Sequence, residues 1–150
     1  MTPRNLRLIR HWVLFITVAA ISFSGISFAS AIEIIVNAAN PENQISRTQL
    51  RDFYYKKRRT WPNGDVVRFI DRGKGSASRK VFLAEVLKKT EEELELYWIG
   101  QKLYSGNSAP LQEASEARVI HFVSKFPGAI GYVKKSVSLE EKNVKAIKLE

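Results

Sequence analysis

Short β-rich runs alternate with helical patterns along most of the chain, and this alternation restricts the fold more than any other feature of the sequence. The β-rich runs predict strands at residues 32–36, 66–71, 129–133 and 143–149. Apolar side chains with helical spacing predict helices at residues 46–59, 76–89, 90–104 and 119–126. Strands separated by helices indicate a single α/β domain with a mostly parallel sheet that is flanked by helices.

Polar residues at the expected helix starts support these boundaries. Ser46 with Gln49, and Thr90 with Glu93, have the spacing of a capping box, in which each side chain satisfies a free backbone N–H group. The basic run at residues 56–59 is expected to close the first helix, because cations are favoured at the carbonyl end. We see no linker that would divide the domain.

Residues 1–31 have the three parts of a secretory signal peptide. Three arginines form a basic start, residues 12–21 are apolar, and the small residue Ala31 ends the segment. We expect cleavage after Ala31, which would leave residues 32–150 as one exported domain. An uncleaved membrane anchor is the alternative, but serine and glycine interrupt the apolar region before it reaches a span of about 20 residues.

The composition excludes several classes of function. The chain has no cysteine and two histidines, so we expect no lipoprotein anchor, no disulfide and no metal site. Its glycine spacing matches no nucleotide-binding loop, and no nucleophile is paired with a base, so we expect neither a cofactor nor enzyme activity. The net charge of +9 favours anionic partners, and export argues against nucleic acid as that partner.

The segment after the second expected strand combines the features of an anion site. Arg72 follows the strand, a glycine-containing loop comes next, and Ser76 and Ser78 lie at a helix start. Free N–H groups in the first helical turn, including that of Ala77, favour an anion there. Arginine and serine side chains can donate to phosphate oxygens. The cations of this segment are Arg72, Lys74, Arg79 and Lys80. In the alternative interpretation, Ser76 only caps the helix and the basic side chains face solvent.

These segments resemble one lobe of the phosphate-type periplasmic solute-binding proteins of ABC transporters, which have a type II periplasmic-binding-protein fold. The matching features fall on Asn40-Pro41, residues 50–61, Arg72, Gly75-Ser76-Ala77-Ser78, Phe82 and residues 127–132. The resemblance implies that phosphate or a similar oxyanion binds through Arg72, Ser76, Ala77 and Ser78. It also implies an ABC transporter permease, or another periplasmic protein, as the partner.

The sequence departs from that family's pattern in ways that bear on function. Ala77 stands where the pattern has glycine, which disfavours a left-handed backbone there, and Ser78 replaces threonine. The family binds its anion between two lobes, whereas this chain has room for one, so we expect weak binding by the chain alone. The alternative is a non-catalytic periplasmic interaction protein that keeps the lobe fold without the ligand. A homodimer that closes two half-sites would reconcile both interpretations.

Overall fold

The computed structural model describes residues 31–140 and 142–150, so the signal-peptide prediction, apart from Ala31, lies outside the described residues. The strands are β1 (Ile32–Asn37), β2 (Gln44–Ile45), β3 (Arg68–Arg72), β4 (Leu111–Glu113), β5 (Ala129–Lys134) and β6 (Val144–Leu149). The helices are α1 (Arg47–Tyr54), α2 (Ala77–Phe82), α3 (Glu91–Ser105) and α4 (Glu116–Lys125), and a π-helical turn, Leu83–Leu87, continues α2. Across the described ranges, no helix combines the length and the apolar character needed to cross a membrane.

The strands of the described chain form one six-stranded sheet in the order β2-β6-β1-β5-β3-β4. β1 is antiparallel to both of its neighbours, β5 and β6. The remaining pairs, β2 with β6 and β3 with both β4 and β5, are parallel. Five strands therefore run in one direction and β1 runs in the other. The expected α/β class with a mostly parallel sheet is confirmed, and β1 is the antiparallel strand among those described.

Helices cover both faces of the sheet, because its central strands are apolar on both sides. Ile34 and Val36 of β1 belong to the larger core cluster, while Ile35 between them belongs to the smaller one. On the first face the cluster includes Leu50, Phe53, Tyr54, Phe82, Leu94 and Trp98, from α1, α2 and α3. On the second face it includes Val119, Ile120 and Val123, from α4.

Several element boundaries differ from those expected. Helix α1 ends at Tyr54, earlier than the expected 59. The basic run still closes the helix, because Lys56 has a left-handed backbone with φ of 57° and the N–H groups of Lys56 and Lys57 donate to the carbonyls of Phe53 and Asp52. The second expected strand starts later, because Val66 forms only an isolated bridge with Thr60. Strands β2 and β4 were not expected, since two- or three-residue strands carry no measurable periodicity.

The carboxyl ends of β3, β4 and β5 lie at the same edge of the sheet, because these strands are parallel. Arg72 ends β3, Glu113 ends β4 and Lys134 ends β5. The chain then enters α2 after β3 and α4 after β4, so two helix N-termini lie beside this edge. Open α/β sheets bind ligands outside the carboxyl ends of their strands.

Candidate anion-binding site

Ser76 caps helix α2 in the way that one interpretation of the sequence requires. Its Oγ accepts a hydrogen bond from the backbone N–H of Arg79 at 3.3 Å. Gly75, just before it, has φ of 84°, a left-handed conformation that costs glycine little. Ala77 is the first residue of the helix and does not have a positive φ, so alanine creates no backbone strain there.

A carboxylate lies in front of the predicted anion-binding groups. Ser78 is buried, and its Oγ donates a hydrogen bond of 2.6 Å to Oε1 of Glu116. The second carboxylate oxygen accepts from the backbone N–H of Lys134 at 3.3 Å. Arg72 Nε is 3.5 Å from Oε1 of Glu116. A guanidinium, a hydroxyl and a backbone N–H are the groups that hold phosphate oxygens in proteins, and here they surround Glu116.

Arg72 retains unused hydrogen-bonding capacity in this arrangement. Its side chain is 7% exposed, and Nη1 donates to the backbone carbonyl of Glu113 at 3.0 Å. Nε is buried and makes no hydrogen bond, although the charge of Glu116 is close. A buried donor without an acceptor costs about 1–3 kcal/mol. An anion oxygen at Nε would recover that free energy.

One of the four cations expected around the site is engaged elsewhere, and for this one the expectation is wrong. Arg79 is buried and forms ion pairs with Asp71 and with Glu91, the latter at 2.7 Å. Lys74 lies 3.2 Å from Glu95 in a solvent-exposed pair, which holds its charge only weakly. The charge of Arg79 is therefore neutralised within the protein.

Positive charge reaches the site from a different part of the chain. A groove of about 280 Å³ opens beside Ser78 and Ala77, and Lys134 and Lys135 line it. Both lysines are exposed, at the end of β5 and just after it. The positive charge that lines this groove therefore comes from the end of β5, which the sequence order does not reveal.

Asp71, the residue before Arg72, anchors the site from the interior and is fully buried. Its carboxylate accepts hydrogen bonds from the hydroxyls of Tyr54, at 2.8 Å, and Tyr132. It also accepts from the guanidinium of Arg79 and from its neighbour's backbone N–H. Burial, followed by the charge of Asp71, raises the pKa of both tyrosines well above its usual range.

We expect the free energy of unfolding to fall as the pH rises above about 10. Unfolded tyrosines ionise near this pH, whereas Tyr54 and Tyr132 hold their protons in the folded state because their pKa is raised. The folded state then binds more protons than the unfolded state, so stability decreases with pH. Urea unfolding between about pH 8 and pH 11 measures the slope. Tyr54→Phe should reduce this slope, because it removes one of the two tyrosines with a raised pKa. A slope equal to that of the parent protein would contradict the assignment.

Glu116 is the site residue that the sequence does not disclose. It lies 38 residues after Ser78, at the first position of α4, where Ser115 is the N-cap. Acidic residues are common in the first turn of a helix because they interact favourably with its dipole. Nothing in the sequence therefore distinguishes Glu116 from an ordinary helix start. Only the pairing of β3 with β4 and β5 places it beside Arg72.

Comparisons with known proteins relate this geometry to solved structures. No protein-family model matches the sequence, and no curated protein matches it. One similar structure, from Clostridium perfringens, has bound phosphate and is described as a phosphate ABC transporter substrate-binding protein; identity is 23% and the TM-score 0.62. An ABC-type phosphate transport receptor from Vibrio cholerae has 21% identity and a TM-score of 0.61. PstS from Borrelia burgdorferi has 19% identity and a TM-score of 0.63.

The chain therefore has the α/β fold of substrate-binding proteins. More narrowly, this fold is similar to that of the phosphate-binding members of this class, as the resemblance in sequence implies. The three superpositions cover 79%, 79% and 80% of this chain but 44%, 46% and 47% of those proteins. The chain thus spans less than half of their length. At these identities the likeness defines the fold, and the ligand has to be argued from the site itself.

Proposed function

We propose that the chain is an exported, periplasmic module that binds phosphate or a similar oxyanion through Arg72, Ser76, Ala77 and Ser78. The observation that carries this proposal is the buried Nε of Arg72 at the end of β3, which makes no hydrogen bond although Glu116 lies 3.5 Å away. The shared fold supports the ligand class, because one similar structure holds phosphate. The signal-peptide pattern of residues 1–31 supports the compartment.

Glu116 sets the affinity in this proposal. An oxyanion that reaches Arg72 and Ser78 displaces the carboxylate or lies beside it, and like charges a few ångströms apart repel each other. Displacement also breaks the hydrogen bond between Ser78 and Glu116. The adjoining groove is open to solvent, which weakens the attraction of Lys134 and Lys135 for the anion. We therefore expect weak binding, with a dissociation constant of about 1 mM.

Removing the charge of Glu116 is expected to strengthen anion binding. Glu116→Gln keeps an acceptor for the Ser78 hydroxyl but no longer repels the ligand, so phosphate should bind about tenfold more tightly, or by about 1.4 kcal/mol. Arg72→Ala should abolish binding, because it removes the cation and the free Nε donor. Calorimetric titration with phosphate, sulfate and molybdate measures both effects, on protein purified after expression of the full chain.

The matched control is Glu150→Gln, which removes one exposed carboxylate at the far edge of the sheet, beside β2 and β6. It should leave the phosphate affinity unchanged. If Glu116→Gln binds phosphate no more tightly than the parent protein, while Arg72→Ala does not bind it, then Glu116 does not limit the affinity as proposed. Absence of heat for every anion, in both the parent protein and Glu116→Gln, would overturn the oxyanion proposal for this chain.

A second candidate function follows from the same carboxylate. Glu116 already accepts the hydrogen bond of Ser78 and faces Arg72, so these groups have a partner without a ligand. The chain can therefore act as an interaction protein that keeps the lobe fold and binds no oxyanion. Its partner would be an ABC transporter permease or another periplasmic protein. Both candidates are non-catalytic. The titration separates them, since only an oxyanion-binding module responds to loss of the Glu116 charge.

A further inference from the structure

Helix α3 has apolar side chains on two opposite faces. Leu94 and Trp98 point into the core and are buried. Leu96, Ile99 and Leu103 are instead 69%, 52% and 77% exposed. Their spacing of three and then four residues places them in a single line along the helix, which we call the outer stripe.

The outer stripe is a concentrated apolar surface rather than a scattered one. Seven large hydrophobic residues are exposed in the described ranges, and four of them, including Tyr104, belong to α3. Single exposed apolar residues are ordinary, whereas a contiguous group indicates an interaction surface. Gly100 borders the stripe, and nothing lies within 4 Å of the position its Cβ would take, so a second helix can approach closely there.

The charges beside the stripe define both the partner and its orientation. Glu95 and Lys102 are seven residues apart, so they lie on the same side of the stripe, one towards each end of α3. When two copies of α3 pair in an antiparallel way about a two-fold axis, the residues that flank the stripe on one side face the equivalent residues of the other copy. The N-terminal end of one helix then lies beside the C-terminal end of the other. Glu95 then faces Lys102 of the second copy, and the reverse pair forms by symmetry.

A parallel pair does not satisfy these charges. There each side of the stripe meets the opposite side of the other helix, which has no cation in α3 to receive Glu95. In the antiparallel arrangement the two helix dipoles also point in opposite directions side by side, which is favourable. The existing contact of Glu95 with Lys74 does not prevent the exchange, since both side chains are more than 60% exposed and such surface pairs contribute little.

We propose that the chain forms an antiparallel two-fold dimer through the outer stripe of α3. The dimer buries Leu96, Ile99 and Leu103 against the same residues of a second copy, with Glu95 and Lys102 pairing at the rim. The proposal does not depend on oxyanion binding, because the predicted anion-binding residues lie outside α3.

Loss of one apolar side chain is expected to weaken the dimer selectively. Leu103→Glu should raise the dimer dissociation constant by about tenfold or more, because it places a charge in the apolar contact between the two copies. Leu111→Glu is the control, a 59% exposed leucine on β4 outside the stripe. Sedimentation equilibrium from about 1 μM to 1 mM measures both constants. A parent protein that stays monomeric throughout, or equal weakening by both variants, overturns the proposal.

Charge reversal tests the pairing across the rim. Glu95→Lys and Lys102→Glu should each weaken the dimer, because like charges then face each other. The double variant should restore it to within about threefold of the parent, since the pairs form with reversed sign. A double variant that is weaker than either single variant overturns the assigned pairing.

Engineered cysteines test the orientation, because the natural sequence has none. Ile99→Cys places the thiol near the two-fold axis, so the two copies should form an intermolecular disulfide under mild oxidation. Glu92→Cys, in line with the stripe near one end of α3, should not cross-link in an antiparallel pair. Cross-linking of both variants indicates a parallel pair and overturns the proposed orientation.

Discussion

Replacing Arg79 by methionine is expected to lower the free energy of unfolding by about 3–5 kcal/mol. The Arg79 side chain is 4% exposed and forms ion pairs with Asp71 and Glu91. Methionine fills a similar volume but leaves the carboxylate of Asp71 buried without its cation. A buried charge that has lost its partner costs several kcal/mol, which is much more than the net value of the pair itself. Urea unfolding at neutral pH measures the loss.

Lys80→Met is the matched control, since the neighbouring residue is exposed and forms no ion pair among the described residues. It should change stability by less than about 0.5 kcal/mol. The double variant Asp71→Asn with Arg79→Met should recover part of the loss, because it removes the unpaired charge. The amide oxygen can accept from one of the Tyr54 and Tyr132 hydroxyls, and the amide N–H can donate to the other. If Arg79→Met and Lys80→Met have the same stability, the buried ion pair does not have this role.

Truncating Phe82 to alanine should destabilise the domain by a comparable amount, about 3–5 kcal/mol. Phe82 is fully buried, and its ring stacks on that of Tyr132 with the centroids 4.2 Å apart. Alanine leaves a cavity between α2 and β5 that the surrounding rigid sheet cannot close. The loss combines the lost transfer free energy of the ring with the cost of the cavity.

Phe82→Leu should cost less than the alanine variant, because it leaves a smaller cavity. Tyr104→Ala removes an aromatic ring of similar size that is 92% exposed, and it should have little effect on the urea midpoint. From most to least stable, the expected order of the variants is therefore Tyr104→Ala, Phe82→Leu and Phe82→Ala. Equal losses for the leucine and alanine variants would show that the site collapses around the missing ring.

The starts of α1, α2 and α3 were well predicted because caps depend on neighbouring residues alone, whereas α4 begins at Glu116, three residues before the predicted start. Ser46 and Ser76 each accept a hydrogen bond from the backbone N–H three residues later. Thr90 and Glu93 form both bonds of a capping box. Helix ends were less well predicted, since α2 passes into a π-helical turn where Leu83, Val86 and Leu87 pack into the core. Tertiary packing decides that ending, and no local pattern encodes it.

The candidate site was only half predictable for a related reason. Arg72, Ser76, Ala77 and Ser78 are close in sequence, so strand and helix patterns suffice to bring them together. Glu116 and Lys134 reach the same place only through the pairing of β3 with β4 and β5. The neutralisation of Arg79 depends on Asp71 and on Glu91 from α3. Its charge was therefore misassigned to the site.

By itself, the sequence determined the α/β class and the strand–loop–helix segment from Arg72 to Ser78, because each depends on periodicity or on residues a few positions apart. The signal peptide at residues 1–31 stays a prediction. Only the tertiary structure decided that a carboxylate lies against the segment at residues 72–78 and that the other described elements leave one face of α3 exposed. Both depend on which distant elements pack together, and that is set by burial of the whole core rather than by any local pattern.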